Sequence, residues 1–132
     1  MSSLSVAFYQ HDDEEIPAQS IVVFGGERDV TISTTSHDPR VAGIAIDPTA
    51  DAELTLTNFG LNACSTFAVM GVVPCSVQGP ISKGDCVVTS SIAGVGEKLD
   101  PKKYVHGCIL GKSIENIQDN STQIIQVAVG IK

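Results

Sequence analysis

Tryptophan is absent from this chain, and aromatic residues make up only 5% of its 132 residues. No apolar run reaches the roughly 18 residues that a membrane-spanning helix needs, which excludes membrane insertion by such a helix. Charged residues are also few, at 17%, whereas hydrophobic residues reach 42%. That balance is typical of a folded chain with a core and excludes an intrinsically disordered one.

Leucine is scarce, with six residues, whereas valine, isoleucine and threonine together supply 37 of the 132. These β-branched side chains crowd a helix but pack well on a pleated sheet. No helical stripe is present, so at most a single helical turn is expected, near 48–52 or 100–104. Short strands separated by Gly and Pro turns are predicted instead. They cover residues 4–9, 20–24, 28–34, 41–46, 53–57, 66–73, 75–78, 85–90, 104–110 and 122–130.

A weak internal repeat organises these strands. Residues 16–24 align with 81–89 at an offset of 65, and residues 41–46 align with 105–110 at an offset of 64. Each half contains a strand with a central glycine, Gly43 or Gly107, and is too small to hold a core alone. The sequence therefore predicts an all-β fold, a single compact barrel or sandwich. We expect one domain over 1–132, built from pseudo-repeated halves at about 4–65 and 66–132.

Positive charge is scarce and unevenly distributed. Eight Lys and Arg against 15 Asp and Glu give a net charge of −7. Residues 11–60 hold ten acids and two arginines, a net −8, whereas residues 61–132 hold five acids and six lysines, a net +1. The clustered basic residues that phosphate binding requires are missing, so no nucleic-acid partner is expected. Two interpretations stay open: a solvated acidic surface, or contact between acidic and near-neutral halves of neighbouring subunits.

The four cysteines lack the spacing of a metal site, because they form no C-x-x-C pair and no histidine stands at zinc spacing. They are Cys64, Cys75, Cys86 and Cys108. The first residues show neither the basic start nor the long apolar stretch of a signal peptide, so synthesis in a cytosol is expected. Free thiols are then the default state, and no cofactor or metal is predicted.

The strongest catalytic candidate is a thiol nucleophile at Cys86, with His37 as base and Asp38 as its orienting acid. Gly84-Asp85-Cys86 is superficially like the nucleophile turn of chymotrypsin-like proteases. Against this, two valines follow the cysteine where small residues are needed, and an apolar strand would bury the thiol. The hypothesis that we prefer assigns no catalytic role to these residues.

The other polar residues considered for catalysis or metal binding are also better explained by structural roles. His11, His37 and His106 show no mutual metal-ligand spacing, and the acidic run 12–15 lacks the alternating ligands and central glycine of a calcium loop. Ser36 and the Ser90-Ser91 pair lack a nucleophile-elbow context. The glycines are scattered at turns and not clustered ahead of a helix, so no phosphate loop is present. We therefore predict no catalytic, cofactor-binding or metal-binding residue.

Residues 71–90 read GVVPCSVQGPISKGDCVVTS. This segment resembles part of the C-terminal domains of phage tail fibres and virion appendages, with a pattern of roughly V-x-G-P-I-x-K-G-D-x-V-V-T-S. Looser likeness extends over 20–131, through VVFGG at 22–26, SHDPRVAGI at 36–44, VHGCILGK at 105–112 and IQVAVG at 125–130. Residues 47–65 depart from the pattern, and a repetitive shaft does not precede it. The alternatives of a free-standing virion protein and an excised domain stay open.

The resemblance implies a structural virion protein that is not an enzyme and acts by forming a homo-oligomer, a trimer. It implies other virion proteins as partners, no membrane insertion, and location in the virion after assembly in the host cytoplasm. Exposed strand edges and a positive mean hydropathy of +0.18 also favour assembly. Two alternatives stay open: a self-processing domain that depends on Cys86 or a serine, and a small-ligand or glycan-binding module. The aromatic residues available to stack on sugars are Phe8, Tyr9, Phe24, Phe59, Phe67 and Tyr104.

Overall fold

The computed structural model describes residues 3–9, 16–27, 29–46, 54–56 and 64–130. Ten strands form one mixed sheet, and no α-helix occurs within those ranges. The elements are β1 (Ser3–Tyr9), β2 (Ile21–Phe24), β3 (Val30–Ile32), β4 (Val41–Ala45), β5 (Leu54–Leu56), β6 (Cys64–Gln78), β7 (Cys86–Thr89), β8 (Gly96–Lys98), the 3-10 helix η1 (Pro101–Lys103), β9 (Ile109–Ser113) and β10 (Thr122–Val129).

Five strands close into a barrel in the order β6, β8, β7, β9 and β10, and β10 returns to β6. The β6–β8 contact is parallel and the other four are antiparallel, so the barrel is mixed. Beyond the barrel, β4, β2 and β3 continue the sheet from β6, while β1 pairs with β5 and with β6. The predicted all-β barrel is confirmed.

The longest strand, β6, belongs to both parts of the sheet. The prediction of two separate strands at 66–73 and 75–78 is wrong, because β6 runs through Pro74, opposite Gln126 of β10. Its first part pairs with β1 and β4, and its last part with β10. Strand β6 changes its pairing partner at Gly71, whose φ of +114° is a conformation that glycine adopts readily. The predicted boundary between halves at 65 and 66 lies inside this strand.

The predicted strand 104–110 is wrong over most of its length. Asp100 caps η1 by accepting a hydrogen bond from the Lys102 amide, which confirms the helical turn expected near 100–104. A turn follows in which Gly107 has a φ of +89°, and β9 begins only at Ile109. Strand β8 was not predicted, since it begins at Gly96 in a segment whose glycines favour a turn. The other helical turn, expected near 48–52, lies outside the described residues.

The pairing pattern of β2 recurs in β7. A one-residue bulge at Ala42 sits between β2 and β4, and the same bulge occurs at Leu110 between β7 and β9. An offset of 65 relates β2 to β7, as predicted. However, β4 corresponds to β9 at an offset of 68, so the predicted alignment of 41–46 with 105–110 is wrong by four residues. Gly107 is a turn residue, and Gly111 is the structural counterpart of Gly43.

The turns before these strands repeat as well. The Gln19 amide donates to the Ala45 carbonyl at 2.8 Å, and the Gly84 amide donates to the Ser113 carbonyl at the same distance. Gln19 and Gly84 both have positive φ, +70° and +93°. The two halves therefore share turn, strand and bulge geometry, which fits a pseudo-repeat.

One buried cluster draws on both halves of the chain. Its members are Ile21, Ile44, Ile46, Ala68, Val73, Cys75, Val77, Ile81, Val87, Leu110, Ile117, Ile125, Val127 and Val129. A second, smaller cluster lies around Phe67, Val22, Val30 and Ala45. Burying each large aliphatic side chain contributes about 1.5–3 kcal/mol, so the shared interior is a main source of stability.

Candidate functional site

A polar network joins the loop before β4 to β8 and to the residues that follow β8. His37 is 6% exposed and has a φ of +55°, a conformation unusual for a residue with a side chain. Its Nε2 accepts a hydrogen bond from the Asp100 amide at 3.0 Å, and its Nδ1 lies 2.7 Å from the Ser36 hydroxyl. Ser36 in turn donates to Glu97 Oε2 at 2.7 Å.

These contacts define the protonation of the His37 ring. A backbone amide can only donate, so Nε2 must present its lone pair to Asp100. The neutral ring then carries its proton on Nδ1, beside the Ser36 oxygen and 3.6 Å from Glu97 Oε2. This tautomer follows from the hydrogen-bond partners. Both ring nitrogens are thus engaged within the protein.

Buried Thr89 of β7 holds the same loop to the barrel. Its hydroxyl donates to the Thr35 carbonyl at 2.7 Å and accepts from the Asp38 amide at 2.8 Å, and its carbonyl accepts from the His37 amide at 2.9 Å. Three hydrogen bonds to one residue fix the backbone of the loop, and this accounts for the unusual φ of His37.

Asp38 is turned away from His37 and toward Arg40. Its carboxylate accepts from the Arg40 amide at 2.9 Å and from the guanidinium Nε and Nη2 at 3.1 and 2.9 Å. These hydrogen bonds with Arg40 lower the pKa of Asp38, and burial of the carboxylate opposes them. The ion pair therefore stabilises the turn that leads into β4.

The structure does not bring Cys86, His37 and Asp38 together as a nucleophile, base and orienting acid. The nitrogens of His37 contact Ser36 and Asp100, and the carboxylate of Asp38 contacts Arg40. Cys86 begins β7, opposite Lys112, and is partly exposed. Cys86, Cys75 and Cys108 are free thiols, and burial raises the pKa of Cys75.

The other predicted candidates lie apart from this network. His106 is exposed in the turn before β9, and buried Ser90 bonds within its own turn, to the Val95 carbonyl. His11 and the acidic run 12–15 lie outside the described residues. Over the described ranges, no three His, Cys, Asp or Glu side chains lie close enough to hold a metal ion, and no helix is long and apolar enough to span a membrane.

Two members of the network lie in the wall of a shallow hollow of about 300 Å³. Residues 78–80 and 97–100 line this hollow, and among them Glu97 and Asp100 also contact His37 or Ser36. The network could not be predicted from the sequence, because Ser36 and Glu97 lie 61 residues apart and His37 and Asp100 lie 63 residues apart. Comparison with family models, with curated proteins and with solved structures found no match.

Proposed function

We propose that this protein is a structural component of a virion, of the tail-fibre or appendage type, that acts by assembling into a homotrimer and not by catalysis. Other virion proteins are its further partners, and its place is the virion after assembly in the host cytoplasm. The likeness of residues 71–90 to tail-fibre domains supports the virion part of the proposal. The exposed apolar surface carries the part that concerns assembly.

Several large apolar side chains of the described residues remain exposed. Their exposed fractions lie between 44% and 60%, and they are Phe24, Met70, Ile92, Tyr104, Val105 and Ile124. Isolated exposed hydrophobic residues are normal on a protein surface, whereas contiguous ones mark interaction sites. Whether these side chains mark an interaction site therefore depends on which of them lie near one another.

Three of these residues belong to segments that contact the loop before β4, and they are called here the loop patch: Phe24, Tyr104 and Val105. The Phe24 amide donates to the Arg40 carbonyl at 2.9 Å. Pro39, which precedes Arg40, lies close to Gly107, and Gly107 follows Val105 by two residues. The patch is thus built from both halves, and burying it against a second copy would remove its apolar surface from water.

Light scattering and sedimentation at micromolar concentration test the proposal. We expect the native chain to have three times its monomer mass of 13.8 kDa. A native chain that is monomeric under these conditions would contradict the assembly.

A double variant, Tyr104→Ser with Val105→Ser, tests the location of the interface. We expect it to shift toward the monomer while the far-ultraviolet circular dichroism stays native, because the loop patch loses its apolar contacts. Ile92→Ser is the matched control, since Ile92 is as exposed as Val105 but lies in a different turn. It should leave the trimer intact.

A further inference from the structure

The His37–Asp100 hydrogen bond links a loop of the first half to the segment that follows β8. Asp100 precedes η1, and η1 leads directly to exposed Tyr104 and Val105. The bond uses the lone pair on Nε2, so it exists only while this nitrogen carries no proton. Histidine is the side chain whose charge changes between about pH 5 and 8. We propose that protonation of His37 breaks this bond and releases the segment beginning at Asp100, so that the contact acts as a pH-sensitive switch.

Protonation would place two donors against each other. The imidazolium N–H at Nε2 would face the Asp100 N–H across 3.0 Å, where an acceptor is required. His37 is buried, so water has little access to replace the lost partner. One of the two groups must therefore move.

The surrounding charges determine which group moves. Glu97 of β8 faces Nδ1 at 3.6 Å, and its attraction to the ring increases when the ring becomes positive. In the same loop, the Asp38 carboxylate is held by Arg40, and β7 presents the uncharged Thr89. The carboxylate of Asp100 is turned to the Lys102 amide. His37 is thus retained on the Glu97 and Thr89 side, and the displacement falls on Asp100.

Nuclear magnetic resonance of the full-length native chain tests the switch directly. While the His37 ring is neutral, its nitrogen shifts should show a proton on Nδ1 and none on Nε2. As the pH of the sample is lowered from about 8 to about 5, the Asp100 amide signal should shift together with the ring signals of His37. The hydrogen-exchange protection of that amide, corrected for its intrinsic rate, should fall about five- to tenfold, as for the loss of one hydrogen bond.

Two histidine variants separate the switch from general effects of acid. His37→Asn suits a positive φ and does not titrate in this range, so the Asp100 amide should become insensitive to pH. His106→Asn is the matched control, since His106 is exposed, and it should leave the Asp100 titration unchanged.

The proposal is overturned by a neutral His37 with its proton on Nε2, or by an Asp100 amide that does not follow the ring. It is equally overturned if His37 stays neutral until the chain unfolds in acid. These readouts come from the native chain, so they remain decisive if His37→Asn does not fold. They do not depend on the oligomeric state, so the switch and the proposed assembly can fail independently.

Discussion

Gly43 and Gly111 occupy positions where two strands approach too closely for a side chain. A Cβ atom on Gly43 would overlap the carbonyl oxygen of Ala68, and one on Gly111 would overlap that of Ala128. Both obstacles are backbone atoms of a paired strand, which cannot rotate away. Glycine is therefore required by close approach at both positions, and not by an unusual φ.

We expect Gly43→Ala and Gly111→Ala each to lower the free energy of unfolding by about 2–3 kcal/mol, the cost of forcing extra atoms into a packed interior. Urea denaturation measures this loss as a lower midpoint. Gly84→Ala is the control, because a Cβ there meets open space and only the φ of +93° is strained. It should cost about 1 kcal/mol. Equal losses at all three positions would argue against the close approach.

The Asp38–Arg40 pair makes stability depend on pH. Arg40 lowers the pKa of Asp38, so the pair stabilises the fold above the unfolded-state pKa of 3.8. That contribution is lost as the pH falls through the lower, folded-state value. Asp38→Asn should therefore reduce the free energy of unfolding by about 1–2 kcal/mol at neutral pH, and the two curves should converge in acid.

Thermal unfolding from pH 7 to pH 2 provides the measurement for Asp38→Asn. Arg40→Gln removes the other partner and should reproduce the pH-dependent loss. The double variant should lose less free energy of unfolding than the two single variants together, because both single variants remove the same interaction. A constant difference between native chain and variant at every pH would show that the charge of Asp38 is not involved.

At the scale of elements, the turns before β2 and β7 have the same geometry but different residues. Gln19 and Gly84 donate equivalent amide hydrogen bonds, and both have positive φ. Gln19→Gly should raise the free energy of unfolding by about 0.5–1 kcal/mol, because glycine adopts this conformation without steric cost. Gln123→Gly is the control, since glycine inside strand β10 should be destabilising. A loss of stability in Gln19→Gly would contradict the assigned turn geometry.

Strand prediction succeeded where hydrophobic patterns dominate and failed where pairing decides. The repeat of β2 in β7 could be seen in the sequence, because both strands are buried and rich in valine. The extent of β6 could not be seen in the sequence, since proline normally ends a strand. Pro74 instead lies within a strand that pairs on both sides. The start of β9 depends on the turn at Gly107, which local alternation cannot distinguish from a strand.

On the scale of the whole molecule, the two halves share one interior. Ile21 and Ile44 of the first half pack in the same cluster as Val73 and Val127 of the second. Neither half could bury these side chains alone, so the repeat is stable only as a pair. The loop patch and the His37 network also draw on both halves, which makes them properties of the assembled fold.

The sequence by itself determined that this protein is all-β, because β-branched residues and turn glycines leave no stretch able to form an amphipathic helix. It also revealed the β2–β7 correspondence. Only the tertiary structure decided the four-residue shift between β4 and β9, the closure of the barrel, and the contact of His37 with Asp100. Those features depend on strand register and on which loops meet across the sheet. The hydrophobic pattern shows which residues of a strand share a face, but which neighbouring strand covers that face and how the flanking turns close depend on segments far away in the sequence.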